Sequence, residues 1–162
     1  MGQSSIAVIR ISGPNSFNIA KKLTGTKKNR AHHEIALLLI KNNEGVSLDR
    51  GLFTFFVSPN SYTGEDVVEI SCHGNQLVVG IIINQCIKLG ARIAEPGEYT
   101  KRAFLNNKVS LSQAESVGAL ISSKSEEAIL QNLKNIEGGS SKAVVSIKTV
   151  SYTHLRAHET PL

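Results

Sequence analysis

Glu69, Arg10 and His73 are side chains whose types and settings in this 162-residue chain point to chemistry. Glu69 stands in the run Val67-Val68-Glu69-Ile70-Ser71-Cys72, which alternates like a half-buried strand. With Val68, Ile70 and Cys72 turned to a core, Glu69 shares the open face with Val67 and Ser71. A carboxylate held on a rigid strand can accept adjacent N–H donors from a fused heterocycle. The same spacing also fits a solvated strand glutamate. Arg10 lies in Ile6-Ala7-Val8-Ile9-Arg10-Ile11-Ser12, apolar on both faces, which predicts a central strand with one buried or half-buried charge. That charge calls for a carboxylate or a ligand, unless the side chain snorkels to the sheet edge. His73 is the one general-base candidate, and as a lone histidine at a strand end it fits a structural role better. A loop Asn106-Asn107-Lys108 presents a further cation.

Other chemistries find little support. Cys72 and Cys86 sit inside apparent core elements without C-x-x-C spacing, which reads as buried thiols rather than a disulfide or metal site. His154 and His158 have helical spacing, but no Glu follows the first, so the zinc-protease pattern is absent and no metal ligand is assigned. A net charge of +5 is compatible with RNA or anionic ligands, yet aromatics are 5% of the chain and no basic run is interleaved with them. No apolar run reaches the roughly 18 residues of a spanning helix, which leads to the expectation of a cytoplasmic protein with no membrane partner. The 162 residues contain no G-x-x-x-x-G-K-S/T phosphate loop, so this chain by itself is not expected to bind or hydrolyse GTP.

The elements that must position these groups follow from periodicity. Pro14 and Asn15 open a short helix carrying Phe17, Ile19, Ala20 and Leu23, and Gly25 ends it. Ile35 to Ile40 is an apolar run, and after Asn42-Asn43-Glu44-Gly45 the chain returns through Val46 to Val57, a meander with Leu52 to Val57 as its last strand. Pro59 to Gly64 is a turn leading into the Glu69 strand. Gly74 to Leu89 is a helix apolar nearly all round, hence buried on two sides, between the sheet and either a second layer or another subunit. Ala91 to Ala94 offers a short strand before the Pro96-Gly97 turn, after which one or two helical turns bury Phe104. Ser112 with Glu115 matches a capping box opening a long helix. Its apolar stripe is Ala114, Val117, Leu120, Ile121, Ala128, Ile129 and Leu133, and Gly138-Gly139-Ser140-Ser141 breaks it before a further helix from Lys142.

The run Pro59-Asn60-Ser61-Tyr62-Thr63-Gly64-Glu65-Asp66-Val67-Val68-Glu69 with His73-Gly74 resembles the N-terminal domain of the MnmE (TrmE) tRNA modification GTPases. Ile9-Arg10-Ile11-Ser12-Gly13-Pro14, Pro96-Gly97-Glu98-Tyr99 and Arg102-Ala103-Phe104-Leu105-Asn106 extend the resemblance from Gly2 to about Lys148. Tyr99 stands where the family has Phe, and Ser110 where it has Asp. Members carry residues before the Arg10 strand, which implies a truncated N-terminus. Val150 to Thr160 matches nothing in the family and reads as translated read-through.

The resemblance implies an α+β fold, a mixed, mainly antiparallel sheet of about five strands with helices on one face, then the first part of a helical domain. It divides the chain into a tetrahydrofolate-binding and dimerisation domain over 1–107, an incomplete helical domain over 108–148 and a non-native tail over 149–162. It puts contacts to formyl- or methylene-tetrahydrofolate at Arg10, Glu69 and Lys108, with no catalytic residue and no metal. Glu69 would take the pterin ring, and Arg10 and Lys108 its carbonyl oxygens or carboxylate tail. The full-length family member is expected to bind GTP, K+ and Mg2+, to form a homodimer, and to work with the flavin-dependent partner MnmG (GidA) on the wobble uridine of tRNA. Against this stand a dimerisation or interaction module with a degenerate folate pocket, and a self-contained one-carbon transferase, which lacks an evident general base.

Overall fold

The structure, a computed structural model, describes residues 4–138. The further helix expected from Lys142 and the tail over 149–162 lie outside the described residues. Alternating segments pair as β1 (Ile6–Ser12), β2 (Ile35–Lys41), β3 (Ser47–Phe56) and β4 (Val67–His73) in the order β1-β4-β3-β2, every pairing antiparallel. The fold is α+β. It has four strands rather than about five, and no parallel pair among the described residues. The segment Ala91 to Ala94 does not become a strand, because its backbone is spent elsewhere. Ala91 N–H donates to Cys86 O at 3.0 Å, and the Arg92 guanidinium turns back to Ile93 O at 3.1 Å and to Glu98.

One face of the sheet makes the core. Ile11, Val68, Ile70, Cys72, Phe53, Phe55 and Ile40 are buried against α1 (Ser16–Thr24) and α2 (Gln76–Lys88), which contribute Ile19, Ala20, Leu23, Ile82 and Cys86. Burying side chains of this size contributes about 1.5–3 kcal/mol each, and this face therefore fixes the strand register. Helix α1 follows Asn15 and stops at Gly25, whose φ of 69° is left-handed. Helix α2 starts where the Asn75 side chain accepts N–H bonds from Leu77 at 2.9 Å and Val78 at 3.4 Å. Among the described residues its apolar girth is not buried on two sides, since Leu77, Ile81 and Ile87 are exposed. Gly74 ends β4 where only glycine fits: a Cβ there would lie 2.0 Å from the Ser4 carbonyl oxygen. Cys72 and Cys86 are buried free thiols, and burial pushes Cys86 up to about 11.

Helix α3 (Glu98–Leu105) follows the Pro96-Gly97 turn. It buries Ala103 rather than Phe104, which is 39% exposed, because the inward stripe of this short helix runs through Tyr99, Arg102 and Ala103. The described residues divide into two compact units, the first ending at Asn106 and the second beginning at Asn107. The second unit is two helices, α4 (Leu111–Ser122) and α5 (Glu126–Ile136), rather than one long one. Ser123 leaves helical geometry with ψ 138°, and the Ser125 side chain recaps the chain by accepting Ala128 N–H. The capping box is Ser110 with Gln113, two residues earlier than the expected Ser112 with Glu115. Gln113 completes it by accepting Ser110 N–H at 2.8 Å, and its amide donates to Ile136 O at 2.6 Å.

Candidate functional site

Arg10 and Glu69 come from positions 59 residues apart and face each other directly in the β1–β4 register. They lie on the sheet face away from α1 and α2, in a cross-strand row that continues through Thr54 to Ile35. Arg10 Nε donates to Glu69 Oε1 at 2.7 Å and Nη2 reaches the same oxygen at 2.5 Å. Both contacts converge on Oε1, so Oε2 carries no bond among the described residues. The pair is half open, with side chains 40% and 28% exposed. An ion pair this wet contributes about 0–1 kcal/mol to stability. Its flanks suggested a central strand, and among the described residues Arg10 lies on a strand at the sheet edge. β1 pairs only with β4 among the described residues, which leaves Ile6 at 63% and Val8 at 58% exposure on the arginine's own face. The face assignment of β4 holds for Glu69 and Ser71, both half-buried, while Val67 is buried as well.

Lys108 is exposed and belongs to the second unit, in the turn before α4. It makes an interaction of its own. His73 is held by Asp49, whose carboxylate accepts the His73 backbone N–H at 3.0 Å and meets its ring Nδ1 at 2.7 Å. Burial alone would raise the Asp49 pKa, but these contacts and the Arg50 N–H hold it below the usual carboxylate range. This pairing ties the end of β4 to β3.

The sequence reading missed what surrounds Arg10. Tyr99 of α3 places its ring under the guanidinium, 5.4 Å from the centroid, and its hydroxyl donates to Arg10 O at 2.6 Å. Helix α3 is itself pinned by a chain of ions. Ser12 Oγ donates to Glu65 Oε2 at 2.7 Å, and Arg102 Nη1 spans both Glu65 oxygens at 2.9 and 3.0 Å. Arg102 Nη2 and Nε also reach Glu98 Oε1 at 2.8 and 3.0 Å, and Arg92 caps the same carboxylate. Donation from Arg92, then the Glu95 N–H and Arg102, drives the Glu98 carboxyl far below its ordinary range. The signal was present as the i,i+4 pair Glu98 and Arg102 after Pro-Gly. The Glu65 partner, 37 residues away, had no sequence mark.

A cleft of 490 Å³ opens along β1 beside α2 and the 90–94 segment, walled by Val8, Ile83, Ile87 and Ile93 with Arg10 and Tyr99 at its rim. Glu69 is not among its walls. No group of three or more metal-ligating side chains occurs among the described residues, and no described helix is long and apolar enough to cross a membrane.

Residues 1–108 match the family described as the GTP-binding protein TrmE N-terminus. The chain belongs to this TrmE N-terminal family. A tRNA modification GTPase MnmE of Thermosipho melanesiensis is 48% identical over 137 residues, covering 85% of this chain and 31% of the relative. Counterparts from Laribacter hongkongensis and Thermotoga petrophila are 41% and 44% identical over 88% and 91% of this chain. The chain thus spans about a third of the length of the relatives it matches, 31–32% in these cases. Within the TrmE N-terminal match fall Arg10, Glu69 and, as its last residue, Lys108.

Proposed function

We propose that this chain is the tetrahydrofolate-binding and dimerisation module of a tRNA wobble-uridine modification GTPase. The observation that carries the reading is the Arg10–Glu69 pair, set on an open sheet face with Glu69 Oε2 unengaged. A reduced pterin offers an N–H beside an exocyclic amino group. Exchanging part of a wet ion pair costs about 1 kcal/mol or less, whereas hydrogen bonds to a charged carboxylate contribute about 1.5–3 kcal/mol. The exchange therefore favours the ligand. Arg10, released in part, can donate to a pterin carbonyl or a glutamate tail. The ligand is a formyl- or methylene-tetrahydrofolate serving as one-carbon donor. GTP, K+ and Mg2+, the flavin-dependent partner MnmG and tRNA belong to the longer protein, in the cytoplasm. Calorimetric titration with formyl-tetrahydrofolate tests the reading. Glu69→Gln should weaken binding about 10- to 100-fold, and equal affinities would remove Glu69 from the site.

The homodimer has its own support. The face carrying Arg10 and Glu69 also exposes Ile6, Val8, Ile35, Leu37, Leu39 and Leu52, an apolar set that a single copy leaves in water. The same face favours a second reading, an interaction module whose folate pocket is degenerate. A dimer that ignores folate would select that reading.

A further inference from the structure

We infer that Tyr99 is a positioning residue for ligand binding, acting through Arg10; this rests on the folate reading of the Arg10–Glu69 pair. Two independent contacts join the residues. The guanidinium lies 5.4 Å from the Tyr99 ring centroid, and the hydroxyl donates to the Arg10 backbone oxygen at 2.6 Å. The first holds the side chain by cation–π attraction and the second holds the backbone of β1, on an edge with no further strand among the described residues. An arginine on an exposed strand face otherwise samples many rotamers, and ordering it costs binding free energy. Seated on Tyr99, the guanidinium meets Glu69 at Oε1 and leaves Oε2 open. Helix α3 is fixed in turn by Glu98, Arg102 and Glu65, so the ring is a stationary support. Tyr99 thus presets the pair without itself needing to touch the pterin.

The test uses the whole chain and two readouts. The first is the Arg10 Nε–Hε resonance in the free protein, assigned by its loss in Arg10→Ala. The Tyr99 ring should shift it, Tyr99→Phe should keep the shift, and Tyr99→Leu should abolish it. The second is formyl-tetrahydrofolate affinity, expected to fall about 3- to 10-fold in Tyr99→Leu, with most of the loss rescued in Tyr99→Phe. In an Arg10→Ala background Tyr99→Leu should cause no further loss. A full additional loss there, or an Arg10 resonance indifferent to Tyr99→Leu, would overturn the inference. If wild type ignores folate, the ligand reading fails separately and the resonance still decides whether Tyr99 seats Arg10. Should Tyr99→Leu not fold, nuclear Overhauser contacts between the Tyr99 ring and the Arg10 δ-methylene in wild type decide: their presence supports the inference and their absence overturns it.

Discussion

Glu98 accepts hydrogen bonds from Arg92, the Glu95 N–H and Arg102, and these donors keep it ionised well below the ordinary carboxylate range. A depressed folded pKa gives stabilisation that is complete above the unfolded value, about 4.3, and is lost as pH falls toward the folded value. The urea midpoint should therefore fall between about pH 5 and pH 2, and Glu98→Gln should flatten that fall. Identical slopes in the two proteins would show that Glu98 titrates alike folded and unfolded. At this scale the sequence was readable where chemistry is local. Glu69 and Arg10 were found by type and alternation, but Tyr99, 89 residues from Arg10, was found only through their contact. Arg10's strand has one neighbour among the described residues, and apolar flanks on both faces look the same for a central strand and for an edge strand with an uncovered outer face.

Helix α2 supplies two opposing stability tests. Removing the Asn75 cap with Asn75→Ala strands the Leu77 and Val78 N–H groups and should lower stability by about 1 kcal/mol. Gly80, mid-helix, has nothing within 4 Å of an added Cβ, so Gly80→Ala should raise stability by about 0.5–1 kcal/mol. Urea denaturation of both variants checks the pair, and a destabilising Gly80→Ala would mean that this side of α2 is covered by something tight. Strands and helices were legible wherever periodicity ran against a core, as in β4 and α1. They were not legible where local hydrogen bonds decide. Ser123 and Ser125 break the expected long helix into α4 and α5, and Arg92 turns the expected 91–94 strand back onto Glu98. A backbone given to caps and turns cannot also join a ladder.

One face of the sheet is buried under α1 and α2; the other is apolar and largely open apart from Tyr99 of α3 at Arg10, and it bears the candidate site. A chain this hydrophobic on one side should self-associate. Light scattering is expected to give a dimer mass for the wild type and a monomer mass for Leu37→Glu, and a monomeric wild type would leave the exposed leucines unexplained. The existence of a folate reading was legible in motifs, whereas the open face was not, because alternation reports which side is apolar and not whether a neighbour covers it. If Glu69 accepts from the pterin while Arg10 donates, inverting the pair should abolish binding. The double variant Arg10→Glu with Glu69→Arg retains opposite charges across β1 and β4, so its urea midpoint should stay near that of wild type. Calorimetry with formyl-tetrahydrofolate should then show binding in the wild type and none in the inverted pair. Undiminished binding by the inverted protein would contradict the assignment.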